Sequence, residues 1–262
     1  GPETGNCSLS QGFDSNSHPA KVKLTAMDGP FGDWLKEKAA ELGIEIEEVN
    51  EIPLMDAEVP AEDQVDDILL LSPNPDLIET ISPFLANHGM LIFSSALPFQ
   101  RKVRMDVGRV HYNRWLFLGG NDQDLARIYH KAPERSDLQP GGKAMFVGAG
   151  GPMGRMHVQH AIESKNPPAV IVCSDVSEDR LRDVDETFGD EAQARGIEWL
   201  CVNPVDTEAF DEKMAAFREK GFDDILMLVP NARVIADSTQ WLMERGVMNI
   251  FAGVPRGTMA EI

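Results

Sequence analysis

Short apolar runs and helix-spaced apolar positions alternate along nearly the whole chain. In the first half, apolar runs at 21–27, 44–49, 67–71, 90–94 and 114–118 have the length of strands. Between them, residues 33–42 and 76–87 carry helical spacing, and 122–130 reads as a short helix. Gly43 follows the first of these helices, where a left-handed cap is expected. Residues 50–65 are acidic, contain proline and read as irregular. In the second half, 144–147 and 170–173 are apolar enough for buried strands. The first is followed by a helix whose apolar set is Met156, Val158, Ala161 and Ile162, and the second by a helix over 178–194. Strands alternating with helices imply parallel sheets covered on both faces.

The two halves match block by block. GPFG at 29–32 answers GPMG at 151–154, and GIEIEEVN at 43–50 answers GIEWLCVN at 196–203. DDILLLSPN at 66–74 answers DDILMLVPN at 223–231, and LANHGMLIFSSALP at 85–98 answers LMERGVMNIFAGVP at 242–255. Four matches in the same order imply a duplicated unit. The predicted fold is therefore α/β, with two tandem Rossmann-like domains of which the first is shortened. The expected layout is a flexible tail at 1–20, a degenerate Rossmann-like domain at 21–131, a linker at 132–142 and an NAD-binding Rossmann domain with its last strand truncated at 143–262. The second copy has an added strand–helix unit between its first helix and GIEWLCVN, and the first copy does not.

That added unit carries the chemistry. Gly148, Gly150, Gly151 and Gly154 crowd the turn after the strand at 144–147, and Asp175 follows the next strand. Strand, glycine turn, helix, strand and acid form the layout of a dinucleotide-binding fingerprint. A helix N-terminus with unpaired N–H groups suits a pyrophosphate. A carboxylate about 20 residues on can accept hydrogen bonds from an adenine-ribose diol, and it repels a 2′-phosphate, which favours NAD over NADP. The glycine spacing departs from the usual fingerprint by one residue in either reading, so a merely structural glycine turn stays open. The first copy has Asp28 where the second has Gly150, and no counterpart of Asp175. Binding is therefore expected in the second copy alone. Val229 and Val254 stand at strand ends, either packed on the cofactor rings or as ordinary strand-end residues.

Composition narrows the partners. The formal net charge is −19 over 262 residues, which argues against nucleic acid and anionic membrane. No apolar run is long enough to span a bilayer, and the polar start lacks a signal core, so a cytoplasmic location is expected. The chain opens on Gly1 and not methionine, which points to a piece of a longer protein. Cys7, Cys173 and Cys201 are too scattered for a disulfide framework or a cysteine-rich zinc site. His157 and His160 share a helix face without a supporting carboxylate or cysteine, so no metal site is assigned.

Several stretches carry a family resemblance. PGGKAMFVGAGGPMGRMHVQHAI, FDDILMLVPN and NIFAGVPRG resemble the cofactor domain of zinc-type, medium-chain alcohol and polyol dehydrogenases, nearest to the sorbose-1-phosphate reductase-like branch. VGRVHYNRWLFLGGNDQDL at 107–125 resembles the last strand of that domain. The resemblance implies hydride transfer between NAD(H) and an alcohol or ketone. It implies that Gly150, Gly151, Pro152, Met153 and Gly154 hold the pyrophosphate, that Asp175 holds the adenine ribose, and that Gly253 and Val254 approach the nicotinamide amide. It places zinc only in a catalytic domain that this chain does not match, having no Gly-His-Glu motif. A non-catalytic NAD-binding module and a scaffold that binds nothing are the competing readings. Tyr112 and Tyr129 lack a lysine four residues on, which weighs against short-chain dehydrogenase chemistry. The last strand of the first copy, expected at 114–118, reads as an apolar sheet edge and hence as a contact for a possible homodimer.

Overall fold

The computed structural model describes residues 18–25, 28–52, 59–72, 74–120, 128 and 137–262. In chain order the first elements are β1 (Lys21–Leu24), α1 (Pro30–Leu42), β2 (Glu45–Glu48), β3 (Val65–Leu70), α2 (Pro75–Ile81) and β4 (Leu85–Ser94). Then come β5 (Arg104–Asp106), α3 (Val107–Tyr112), β6 (Leu116–Gly120), β7 (Lys143–Val147), α4 (Pro152–Glu163) and β8 (Val170–Ser174). The rest are α5 (Glu178–Ala194), β9 (Glu198–Val202), α6 (Thr207–Met214), β10 (Phe222–Met227), α7 (Ala232–Ser238), β11 (Leu242–Ile250) and β12 (Met259–Glu261). These fall into two compact units, Gly1–Phe99 with Phe117–His130, and Gln100–Leu116 with Lys131–Ile262.

The second unit is built on a five-stranded parallel sheet in the order β11-β10-β7-β8-β9. Counted from β7, that is 3-2-1-4-5, the strand order of a Rossmann fold. Successive side chains of a strand face opposite ways, and the core divides accordingly. Ala144 and Phe146 of β7 pack with Val158 and Ile162 of α4 and Val184 and Phe188 of α5. Met145 and Val147 pack on the other face with Met214 of α6 and Ile235 of α7. The chain enters the sheet through a pinned approach, where Asp224 accepts from the Gln139 N–H at 2.7 Å and Asp223 from the Lys143 N–H at 2.8 Å.

The first unit holds a β1–β2 pair and a β3-β4-β6 sheet. Here β2 pairs directly and in parallel with β1, Lys21 opposite Glu45, whereas β8 lies between β7 and β9 in the second unit. Other local features recur in both units. The β3–β4 ladder shifts register between Val65 and Asp67, and the β10–β11 ladder shifts between Phe222 and Asp224. At the matching positions His88 and Arg245 have φ of 63° and 66°. Asn74 and Asn231 cap α2 and α7 with their side-chain oxygens.

The structure corrects several expected boundaries. The helix expected over 76–87 stops at Ile81 and passes through a 3-10 turn, Ser82–Phe84, into β4. Leu85 is already paired with Val65, so the ladder takes over. Residues 107–112, read as part of a final strand, form α3, because the Asp106 carboxylate caps them by accepting from Gly108 and Arg109 N–H. Residues 100–116 belong to the second unit, where β5 pairs antiparallel with β12. That register is symmetric about Met105 opposite Ala260. The expected strand at 114–118 starts at Leu116, since Arg114 has φ of 53°. Trp115 is only 4% exposed, under the Arg109 guanidinium, so the apolar edge is smaller than the sequence suggested. The tail at 1–17 and most of the expected helix at 122–130 lie outside the described residues.

Candidate functional site

At the carboxyl end of β7 the chain must turn sharply and begin α4. Gly148 does this with φ of +91°, its N–H donating to Ser174 O at 2.8 Å. The Val229 Cγ1 lies 2.5 Å from where a Gly148 Cβ would stand. Gly154, one turn into α4, is closer still to its surroundings. A Cβ there would sit 2.3 Å from Gly148 O and 2.5 Å from Ala149 O. Helix and strand end are therefore in backbone contact at this point.

Asp175, at the end of β8, closes the turn. It is 7% exposed, its Oδ2 accepting from Gly150 N–H at 3.0 Å and its Oδ1 from Ser177 N–H at 3.1 Å. A carboxylate offers about four lone-pair sites, so acceptor capacity remains on both oxygens. Gly150 N–H is committed to Asp175, and Gly151 N–H donates to Gly148 O at 3.3 Å. The first backbone bond of α4 runs from Arg155 N–H to Gly151 O. Pro152 has no N–H, which leaves Met153 and Gly154 as the helix-end donors without an intrahelical acceptor. A Cβ on Gly151 would meet only ordinary contact, 3.6 Å from Gly148 O. The turn thus presents a small open face, two donors and a nearby carboxylate, which fits a pyrophosphate joined to a ribose diol.

The sheet order brings the remaining candidates into line. Asp175, the glycine turn, Val229 and Gly253 stand at or just beyond the ends of β8, β7, β10 and β11. Three strand spacings from β8 to β11 give roughly 14 Å. Val254 is separated from this row by burial. Its side chain is 0% exposed and belongs to the core, so the expectation that it packs on a cofactor ring does not hold. Val229 is part-buried against Gly148. A cleft of about 630 Å³ opens beside the turn between α4 and α5, lined by Gly150, Pro152, Arg155, Met156 and Thr187 among others.

Some residues at the site were not visible in the sequence. Arg180 lies along Gly150, its Cβ 2.5 Å and its Cδ 3.2 Å from where a Gly150 Cβ would stand. Its place one turn into α5, five residues after Asp175, was the available signal. His157 packs edge-on against Phe251 at 4.6 Å between ring centroids, and its Nε2 is buried without a hydrogen-bond partner among the described residues. Burial, with a smaller contribution from His160, holds its pKa below the ordinary histidine value. Burial likewise pushes the Cys173 thiol up, beside Cys201 on the neighbouring strand. Among the described residues no cluster of His, Cys, Asp and Glu could hold a metal, and no helix is long and apolar enough to cross a membrane.

No known protein-family profile matches the chain. It is 30% identical over 118 residues to mannitol-1-phosphate 5-dehydrogenase of Aliivibrio fischeri, which covers 44% of this chain and 28% of that protein. It is 31% identical over 124 residues to the uncharacterized protein YggP of Escherichia coli, covering 45% and 28%. It is 28% identical over 116 residues to L-sorbose 1-phosphate reductase of Klebsiella pneumoniae, covering 44% and 27%. The chain thus spans under a third of the length of the curated relatives it matches. Among solved structures it is similar to 2R,3R-butanediol dehydrogenase from Bacillus subtilis, with a TM-score of 0.34 and 18% identity over 47% of this chain and 34% of that one. Two of these sequence relatives are named as a dehydrogenase and a reductase.

Proposed function

We propose that the second unit is the NAD(H)-binding portion of an alcohol or polyol dehydrogenase-like oxidoreductase. The observation that carries this is the closed glycine turn, with the Asp175 carboxylate on Gly150 N–H at the centre of a 3-2-1-4-5 sheet. Met153 and Gly154 N–H would hold the pyrophosphate, with Gly150, Gly151 and Pro152 leaving it room. The free lone pairs of Asp175 would hold the adenine ribose, with Arg180 along its edge. Gly253 would face the nicotinamide end, with Val229 beside it. Bound there, NAD(H) would supply hydride exchange with an alcohol or ketone. The described residues form no zinc set, and zinc enters this reading only through a catalytic domain outside this chain.

The recurring bulge, left-handed residue and asparagine cap support descent of the two units from one duplicated ancestor. The first unit would then be a relic that binds no cofactor. A cytoplasmic location and pairing of two chains through β6, which ends its sheet among the described residues, belong to the same proposal. Phe117→Lys should then shift a dimer towards monomer in sedimentation while leaving NADH affinity unchanged.

One observation favours the alternative of a non-catalytic scaffold. Both Asp175 oxygens are already hydrogen-bonded inside the turn, as a purely structural acid would be. Titration calorimetry of the full chain separates the readings. The NAD reading expects one NADH site per chain and weaker binding of NADPH. Absence of heat with either nucleotide would leave the scaffold.

A further inference from the structure

The row of strand ends has an unexpected neighbour. Helix α3 precedes the linker in sequence, yet it sits on the loop that follows β11. Gly108 makes this possible, because a Cβ there would stand 2.1 Å from Pro255 O. Asp106 fastens the arrangement, its Oδ2 accepting from Gly257 N–H at 2.9 Å while its Oδ1 caps α3. Val107 is fully buried in the core beneath, and its N–H donates to Thr258 O at 3.0 Å.

At the end of α3, Tyr112 is turned onto Gly253. Its hydroxyl lies 3.0 Å from where a Gly253 Cβ would stand. The Arg256 guanidinium covers its ring at 5.4 Å, and Arg256 Nε donates to Asn113 Oδ1 at 2.8 Å. His111 meets the ring edge-on at 4.8 Å between centroids and is itself tied to Ile250 O through Nδ1 at 3.3 Å. Tyr112 is nevertheless 49% exposed. It is a held phenol with an open face, at the far end of the row from Asp175.

We propose that Tyr112 contacts the nicotinamide half of the bound dinucleotide, so that α3 completes a site otherwise built from residues 143–262. The inference rests on the NAD reading above. Asp175 marks the ribose end at β8 and the glycine turn marks the phosphates at β7, so the second nucleotide half extends over β10 and β11. The hydroxyl can donate to or accept from the carboxamide, and the ring offers an apolar face to the nicotinamide.

Calorimetric titration of the full chain with NADH and with ADP-ribose, which lacks the nicotinamide, tests this. Tyr112→Ala should weaken NADH roughly five- to tenfold and leave ADP-ribose within about twofold, the retained ADP-ribose affinity showing that the fold is kept. Gly253→Ala, which displaces the hydroxyl, should reproduce the pattern. Unchanged NADH affinity in Tyr112→Ala, or an equal loss for both ligands, would overturn the proposal. A wild-type chain that binds neither ligand sinks the dinucleotide reading itself, and the role of Tyr112 with it. Wild-type binding of both ligands with no effect of Tyr112→Ala sinks the role of Tyr112 alone.

Discussion

The turns at 29–32 and 151–154 both read Gly-Pro-x-Gly, and both start a helix with proline in its first turn. Their surroundings differ. Gly29 has φ of +105°, and nothing lies within 4 Å of where its Cβ would stand. Gly151 has φ of −74°, inside a turn held by Gly148, Gly154 and Asp175. The contrast traces to β8. In the second unit β8 lies beside β7 and delivers Asp175 to the turn. In the first unit β2 occupies the place next to β1, and its end carries Glu48, exposed and paired with Lys36 of α1. The same four-residue motif becomes a candidate site only where an extra strand closes it.

The largest expected effect comes from forcing the closed turn apart. Gly154→Ala places a methyl group against two backbone carbonyls that cannot swing away, and should cost roughly 2–3 kcal/mol in denaturant unfolding. Gly151→Ala should cost less than about 0.5 kcal/mol yet weaken NADH at least about tenfold, because its Cβ would enter the face a phosphate approaches. A neutral Gly154→Ala would mean that the enclosure distinguishing the two turns is not there.

Removing the acid is the next step down. Asp175→Ala leaves Gly150 and Ser177 N–H without their acceptor and should cost about 1–2 kcal/mol. NADH and ADP-ribose should both weaken, since the ribose is common to them. Asp28→Ala, which removes the acid that stands in the first unit where the second has Gly150, should change neither stability nor affinity. Equal effects from the two substitutions would erase the comparison.

The smallest effect concerns pH. His157 stands where the first copy has Leu35. Its pKa is lowered in the folded state, so unfolding takes up a proton in acid. Its stabilising contribution is complete above the ordinary histidine pKa near 6.5 and declines as pH falls through the lowered value. His157→Leu should therefore narrow the difference in melting temperature between pH 5 and pH 7.5 (about one pH unit or more either side of that value). An unaltered difference would show that the ring titrates as if exposed.

Much of this architecture was legible because it is local. Gly43 ends α1 at φ of 72° as its position implied, and Asp175 stands at the turn where its spacing from the glycines placed it. The missing strand–helix unit of the first copy reappears as the direct β1–β2 pair. The helix at 107–112 was missed although its Asp106 cap is local, because the contacts that hold it in place are distant in sequence. Asp106 binds Gly257, and His111 reaches Ile250 across 139 residues. Val254 was misplaced for the same kind of reason, since a strand-end valine reads alike whether it faces ligand or core.

The sequence by itself determined where this chain turns, which segments alternate inward and outward, and which copy holds a carboxylate after its glycines. Those properties follow from φ preferences, side-chain periodicity and short-range hydrogen bonds, all settled within a few residues. Only the tertiary structure decided that α3 docks beside Gly253, that Asp175 bonds to the turn it faces, and that Val254 is core. Those outcomes depend on contacts between segments separated in sequence, as where a Cβ on Gly108 would stand 2.1 Å from Pro255 O, and no local pattern encodes such a contact.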